Sequence, residues 1–196
     1  MKIIFGTTNK RKIEDLKNLV LSLNLDIEVL SLSDIGFLEE NSLIKARRIH
    51  DFCKSNNLNY QVITDDSGLF VESLNGEPGI YTGRYADYEL SQDKTLPKYQ
   101  CVIKLLNNLE GIENRNAKYK CVVTYMFEDG TYFQETGETL GVISKEIIGS
   151  LEKPYFYSIF ILNEYQKVFS NLDKEELNET YRYKALRKTL KRLNNN

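Results

Sequence analysis

A chain of 196 residues, 41% of them hydrophobic, can bury a sizeable core and is read as one domain, or one domain with an added lobe. A net charge of −2 argues against a nucleic-acid binder held by bulk charge, and no window approaches the length of a membrane span. Three scattered cysteines and one histidine, His50, make a disulfide framework, a zinc site or a Ser-His-Asp relay hard to build, which leaves carboxylates, lysines and a bound cation to carry any chemistry.

In chain order, Lys2–Gly6 is a short β-type run, too short in its apolar part for a signal peptide, so a cytoplasmic setting is expected. A helix follows from near Asn9, because Ile13, Leu16, Leu19, Val20 and Leu23 recur at helical spacing. The junction Gly6-Thr7-Thr8-Asn9-Lys10-Arg11-Lys12 joins a strand to a helix N-terminus through capping residues, with three cations close behind. That is the make-up of a phosphate site. It is also the make-up of a capped surface helix with solvated basic residues.

Ile27–Leu30 is a second strand, and Glu39-Glu40-Asn41 opens a helix that runs to Cys53. Lys45 lies about one turn beyond Glu40, so both can face one cleft. Val62–Thr64 reads as a third strand, short and apolar. It leads into Asp65-Asp66-Ser67-Gly68. Two adjacent acids at a strand end repel each other unless a cation sits between them, which makes the pair a candidate metal site. Ser67-Gly68 behind them reads as a tight turn. A polar turn without function is the plainer reading of the same four residues.

Asn75–Tyr85 is a loop rich in glycine, with Arg84 able to reach a phosphate or a surface acid. Thr95–Leu109 reads as a helix. Tyr119–Phe127 and Thr131–Glu138 read as a hairpin around Glu128-Asp129-Gly130, and Gly141-Val142-Ile143 extends the sheet. Pro154–Leu162 reads as an aromatic strand, Lys174–Asn178 as a short helix and Thr180–Leu193 as a terminal helix with a basic C-terminal half.

The ordered set resembles the inosine triphosphate pyrophosphatase family, over most of the chain. Thr7-Thr8-Asn9-Lys10-Arg11-Lys12 is similar to the family's T-x-N-x-x-K phosphate loop, and Glu40-Asn41-Ser42-Leu43-Ile44-Lys45-Ala46 to its E-N-A-x-x-K-A helix. Asp65–Leu69, Asn75–Tyr81 and Arg84-Tyr85 resemble its D-D-S-G-L … N-G-x-P-G-x-Y-S-A-R-Y signature. The resemblance implies an α/β fold with a long mixed central sheet flanked by helices, two lobes with a cleft between them, and commonly a homodimer. It implies cleavage of non-canonical purine nucleoside triphosphates to a monophosphate and pyrophosphate, with Mg²⁺ held by Asp66 and by Glu39 or Glu40. Asp66 would orient or deprotonate the attacking water, with Asp65 in support. Lys12 and Lys45 would neutralise the phosphates, and Ser67 would donate to a phosphate oxygen.

Two departures stand out. The segment before Glu40 is shorter than in most members, which leaves the metal glutamate open between Glu39 and Glu40. The base-reading half is also rebuilt. The family's F-G-Y-D falls at Pro154-Tyr155-Phe156-Tyr157 without its aspartate, its S-H-R becomes Thr180-Tyr181-Arg182 without the histidine, and its E-K-N lysine becomes Leu177. Tyr155, Phe156 or Tyr181 could still stack on a base, or the aromatics could be core. Base choice is thereby open to change within the non-canonical purine reading; a pyrophosphatase for a modified or pyrimidine nucleotide and a catalytically quiet nucleotide-binding protein are the alternatives.

Overall fold

Short apolar runs alternating with amphipathic helices build the first part of the chain. The computed structural model describes residues 2–5, 10–26, 28–31, 42–86, 99–152 and 154–195. The elements are β1 (Lys2–Phe5), α1 (Lys10–Ser22), β2 (Glu28–Ser31), α2 (Ser42–Ser55), β3 (Gln61–Val71) and β4 (Pro78–Gly79). Then come α3 (Gln100–Asn108), β5 (Asn116–Met126), β6 (Tyr132–Ile143), β7 (Phe160–Leu162), β8 (Lys167–Val168), α4 (Lys174–Asn178) and α5 (Tyr181–Asn194). The strands form one sheet in the order β2-β1-β3-β5-β6-β7-β8, with β4 beside β3. Parallel pairs of β1 with β2 and β3 sit in the same sheet as antiparallel pairs of β6 with β7 and β7 with β8, so the fold is the expected mixed α/β type.

The chain forms two compact units: Met1–Asp66 with Cys121–Gly137 and Tyr181–Asn196, and Ser67–Lys120 with Glu138–Thr180. In the first, side chains alternate across the sheet with the strand period of two. One face packs against α2, where Ala46, Ile49 and Cys53 meet Val62 and Met126. The opposite face carries α1 and α5, which pack on each other. The first turn of α5 rests directly on β6 at Gly137, where a Cβ would lie 2.0 Å from the Tyr181 carbonyl oxygen. Only a residue without a side chain permits that approach.

The second unit is built around aromatic rings. Tyr157 stacks on Phe169 at 3.8 Å between centroids, and Tyr119 meets both Tyr157 and Phe160 edge-on. Buried Cys101, Val102 and Leu105 of α3 contribute to the same unit. The short α4 is closed by a capping box of Asp173 and Glu176.

Two local expectations are corrected. The Asp65-Asp66-Ser67-Gly68 stretch is not a turn at a strand end; β3 runs through it without a break to Val71. Gly68 is needed for closeness rather than for backbone freedom, because a Cβ there would lie 2.3 Å from the carbonyl oxygen of Gly79 on β4. Pro154–Leu162 is not one strand either. Tyr155–Ser158 winds into a 3₁₀ turn, held by the Tyr157 amide donating to the Pro154 carbonyl and the Ser158 hydroxyl donating to the Tyr155 carbonyl. The turn buries the consecutive residues Phe156 and Tyr157 together, which the alternation of a strand would prevent.

Candidate active site

β3 sets the geometry. It pairs with β1 up to Phe5↔Ile63, so Asp65 and Asp66 lie just past the C-terminal end of β1. With the order β2-β1-β3, this is where the helical connections part to opposite faces, the usual place for a ligand in an open α/β sheet. The strand sends the two neighbouring carboxylates to different faces. Asp65 points towards α1 and α5 and is 1% exposed, whereas Asp66 points towards α2 and its side chain is 34% exposed. The adjacent acids therefore escape mutual repulsion by geometry, and each has its own lysine.

Lys12 of α1 donates from Nζ to both carboxylate oxygens of Asp65, at 2.8 and 2.7 Å. Lys45 of α2 donates to Asp66 Oδ1 at 3.2 Å and to the Asp65 carbonyl oxygen at 3.3 Å. Arg182, in the first turn of α5, brings Nε to 3.5 Å from Asp65 Oδ2, with its guanidinium over the Tyr181 ring at 5.5 Å. Asp15 of α1 lies on its other side, Oδ2 to Nη1 at 3.9 Å. The Tyr183 hydroxyl donates to Asp15 Oδ1 at 2.7 Å. The Cys121 thiol is 3.9 Å from Asp65 Oδ2.

Burial alone would raise the Asp65 pKa, but Lys12, Arg182 and Lys45 together outweigh it and hold the carboxyl below its usual range. The same pocket acts oppositely on the thiol. Burial, reinforced by the Asp65 charge, pushes Cys121 up to about 12, so it stays protonated and is no nucleophile at neutral pH.

On the α2 face, the start of α2 is fixed by hydroxyls. Ser42 Oγ lies 2.7 Å from Thr124 Oγ1 and 3.1 Å from Thr64 Oγ1, Thr64 Oγ1 donates to the Ser42 carbonyl at 2.6 Å, and Gln134 donates to Thr124 at 2.8 Å. All three hydroxyl residues are buried. The knot ties α2 to β3 and β5 one turn before Lys45, which holds that lysine at Asp66.

Of the residues expected from sequence, Lys12, Lys45, Asp65, Asp66 and Arg182 come together, with Tyr181 buried beneath the arginine. Ser67 follows Asp66 along β3 and is half-buried. Thr7, Thr8, Asn9, Glu39 and Glu40 lie outside the described residues, as do the side chains of Lys10, Arg11 and Arg84. Tyr155, Phe156 and Tyr157 belong to the second unit; Phe156 and Tyr157 are part of its core, and Tyr155 is half-buried. Sequence reasoning did not find Asp15, Tyr183 or the hydroxyl knot. Asp15 stands three positions after Lys12 on one helix face, a signal that was there to be used.

Residues 3–192 match the model of the Ham1 family. The chain belongs to the Ham1 family. A relative from Borreliella burgdorferi (strain ZS7), named dITP/XTP pyrophosphatase, is 32% identical over 90% of this chain and 88% of its own length. A relative of the same name from Listeria innocua is also 32% identical, over 98% of this chain and 94% of its own. Among solved structures, a HAM1 protein from Coxiella burnetii superposes with a TM-score of 0.82 at 25% identity, over the whole of both chains. The Staphylococcus aureus Ham1 protein gives 0.80 at 28% identity, covering 100% of this chain and 99% of that one. The family resemblance carried by the ordered motifs is therefore borne out.

Proposed function

We propose that this chain hydrolyses non-canonical purine nucleoside triphosphates, of the dITP and XTP type, to the monophosphate and pyrophosphate. The observation that carries the reading is the meeting of Lys12 and Lys45 at Asp65 and Asp66, beyond the end of β1. Two ammonium groups reaching one strand end from opposite faces suit an extended polyanion better than a neutral ligand. The names carried by the Borreliella and Listeria relatives support the same substrate class.

Charge balance supports a role for a divalent cation. Among the described side chains, Lys12, Lys45 and Arg182 face Asp15, Asp65 and Asp66, so the cations present are already matched by carboxylates. A triphosphate adds several negative charges, and Mg²⁺ supplies what is missing. The residues fit such an ion. Asp66 offers a partly exposed hard oxygen donor, and Mg²⁺ is usually held by one or two carboxylates together with water and substrate phosphates. Asp66, with Glu39 or Glu40, would hold it. When bound, the ion would polarise the phosphoryl group under attack and offset charge on the leaving pyrophosphate.

The chain's own residues do the rest. Lys12 and Lys45 exchange carboxylate partners for phosphate oxygens, helped by Thr7, Thr8, Asn9, Lys10, Arg11 and Ser67. Arg182 adds a third cation. Asp66 orients the attacking water, and Asp65 holds Arg182 in register. Arg84 is the remaining proposed phosphate contact, while the buried Phe156 and Tyr157 serve the core of their unit and Tyr181 backs Arg182. A cytoplasmic homodimer without a nucleic-acid or membrane partner belongs to the same proposal. A panel of dITP, ITP, XTP, the four standard triphosphates and dUTP, assayed for pyrophosphate with Mg²⁺ and with EDTA, tests it. The expected result is Mg²⁺-dependent release, with kcat/KM for dITP or XTP at least about tenfold above ATP and GTP. A preference for dUTP or a standard base would refute the non-canonical purine assignment.

A further inference from the structure

Arg182 carries its charge on a long side chain, and holding it in one place costs conformational entropy unless the protein does so in advance. The structure shows how it is held. Asp65 lies on one side, Asp15 on the other, and the Tyr181 ring beneath. Asp15 is itself held: the Tyr183 hydroxyl takes Oδ1 at 2.7 Å and leaves Oδ2 towards the guanidinium. Asp15 and Lys12 are three apart on α1, while Arg182 and Tyr183 are neighbours on α5. The seat of α5 on Gly137 sets how far along β6 this first turn stands. One carboxylate thus links the helix that carries Lys12 to the helix that carries Arg182.

We infer that Asp15, oriented by the Tyr183 hydroxyl, is a positioning residue that pre-sets Arg182 for a polyphosphate ligand. It touches no reacting atom. Its effect is on binding, through the readiness of the arginine. The inference rests on the proposed function only in taking the ligand to be a polyphosphate.

Isothermal titration with inorganic tripolyphosphate, with and without Mg²⁺, compares the full-length protein with Tyr183→Phe, Asp15→Asn and the double variant. Asparagine still accepts from the tyrosine but faces the arginine without charge. Each single variant is expected to raise Kd about three- to tenfold, with melting temperature little changed. The double variant is expected to be no worse than the weaker-binding single, because the hydroxyl acts through the carboxylate. Kd unchanged in the single variants, additive effects in the double, or no binding to the unaltered protein would each overturn the inference. dITP hydrolysis by the unaltered protein is followed in parallel. If tripolyphosphate binding responds as expected while no pyrophosphate leaves dITP, the positioning role stands and the assigned activity falls.

Discussion

Asp66→Asn is expected to lower kcat for dITP about a thousandfold, with little change in melting temperature. Asp66 is the more exposed member of the acidic pair, and among the described residues its side chain pairs with Lys45 at 3.2 Å. Exposed pairs of that kind contribute about 1 kcal/mol or less to stability, so the fold should tolerate the amide. Chemistry should not. An amide neither binds a hard cation comparably nor accepts a proton, and loss of a positioned acid–base group alone costs about 10²–10⁴-fold. Circular dichroism and a melting curve, run with a pyrophosphate assay at saturating dITP, separate the two effects. Retained turnover would remove Asp66 from its assigned role.

Asp65→Asn is expected to do the reverse in its first effect: it should destabilise the fold. This carboxylate is buried, chelated by Lys12 and approached by Arg182 and Lys45. Removing one partner of a buried charge cluster leaves the others uncompensated and costs about 3–5 kcal/mol. For a chain of this size that is a fall of about 6–20 °C in melting temperature. The pH dependence has a definite sign. The folded-state pKa of Asp65 is lowered from its ordinary 3.8, so its contribution is complete above that value and is lost as pH falls through the lower folded value. The stability gap between Asp65→Asn and the unaltered protein should therefore be flat near neutrality and shrink only in strong acid. Urea melts at pH 7, 5 and 3 check this. An unchanged midpoint at pH 7 would show that the charge cluster does not hold the fold.

The two variants differ because of a feature that the sequence carries only implicitly. Asp-Asp-Ser-Gly has the composition of a turn, and nothing local reveals that β4 returns to pair with Leu69 and Phe70 and keeps the strand extended. Once the strand is continuous, its period of two gives the neighbouring acids opposite faces and unlike burial. The parallel βαβαβ start was legible because hydrophobic spacing and capping residues are local signals, and so were the helix at Lys174–Asn178 and the terminal helix. The aromatic run at Tyr155–Tyr157 misled for the opposite reason: aromatic residues favour strands, yet here a tight turn puts consecutive rings into one core. The contact between Asp15 and Tyr183 spans 168 positions, and no spacing rule reaches that far.

Lys12, Lys45 and Arg182 are already matched by carboxylates in the folded chain, and the proposed activity requires them to turn to a triphosphate whose bond between the first and second phosphates is then broken. Product identity tests this most directly. With purified protein, Mg²⁺ and dITP, phosphorus NMR should show dIMP and pyrophosphate rising together in equal amounts. Appearance of dIDP with orthophosphate, or an unchanged triphosphate spectrum, would contradict it.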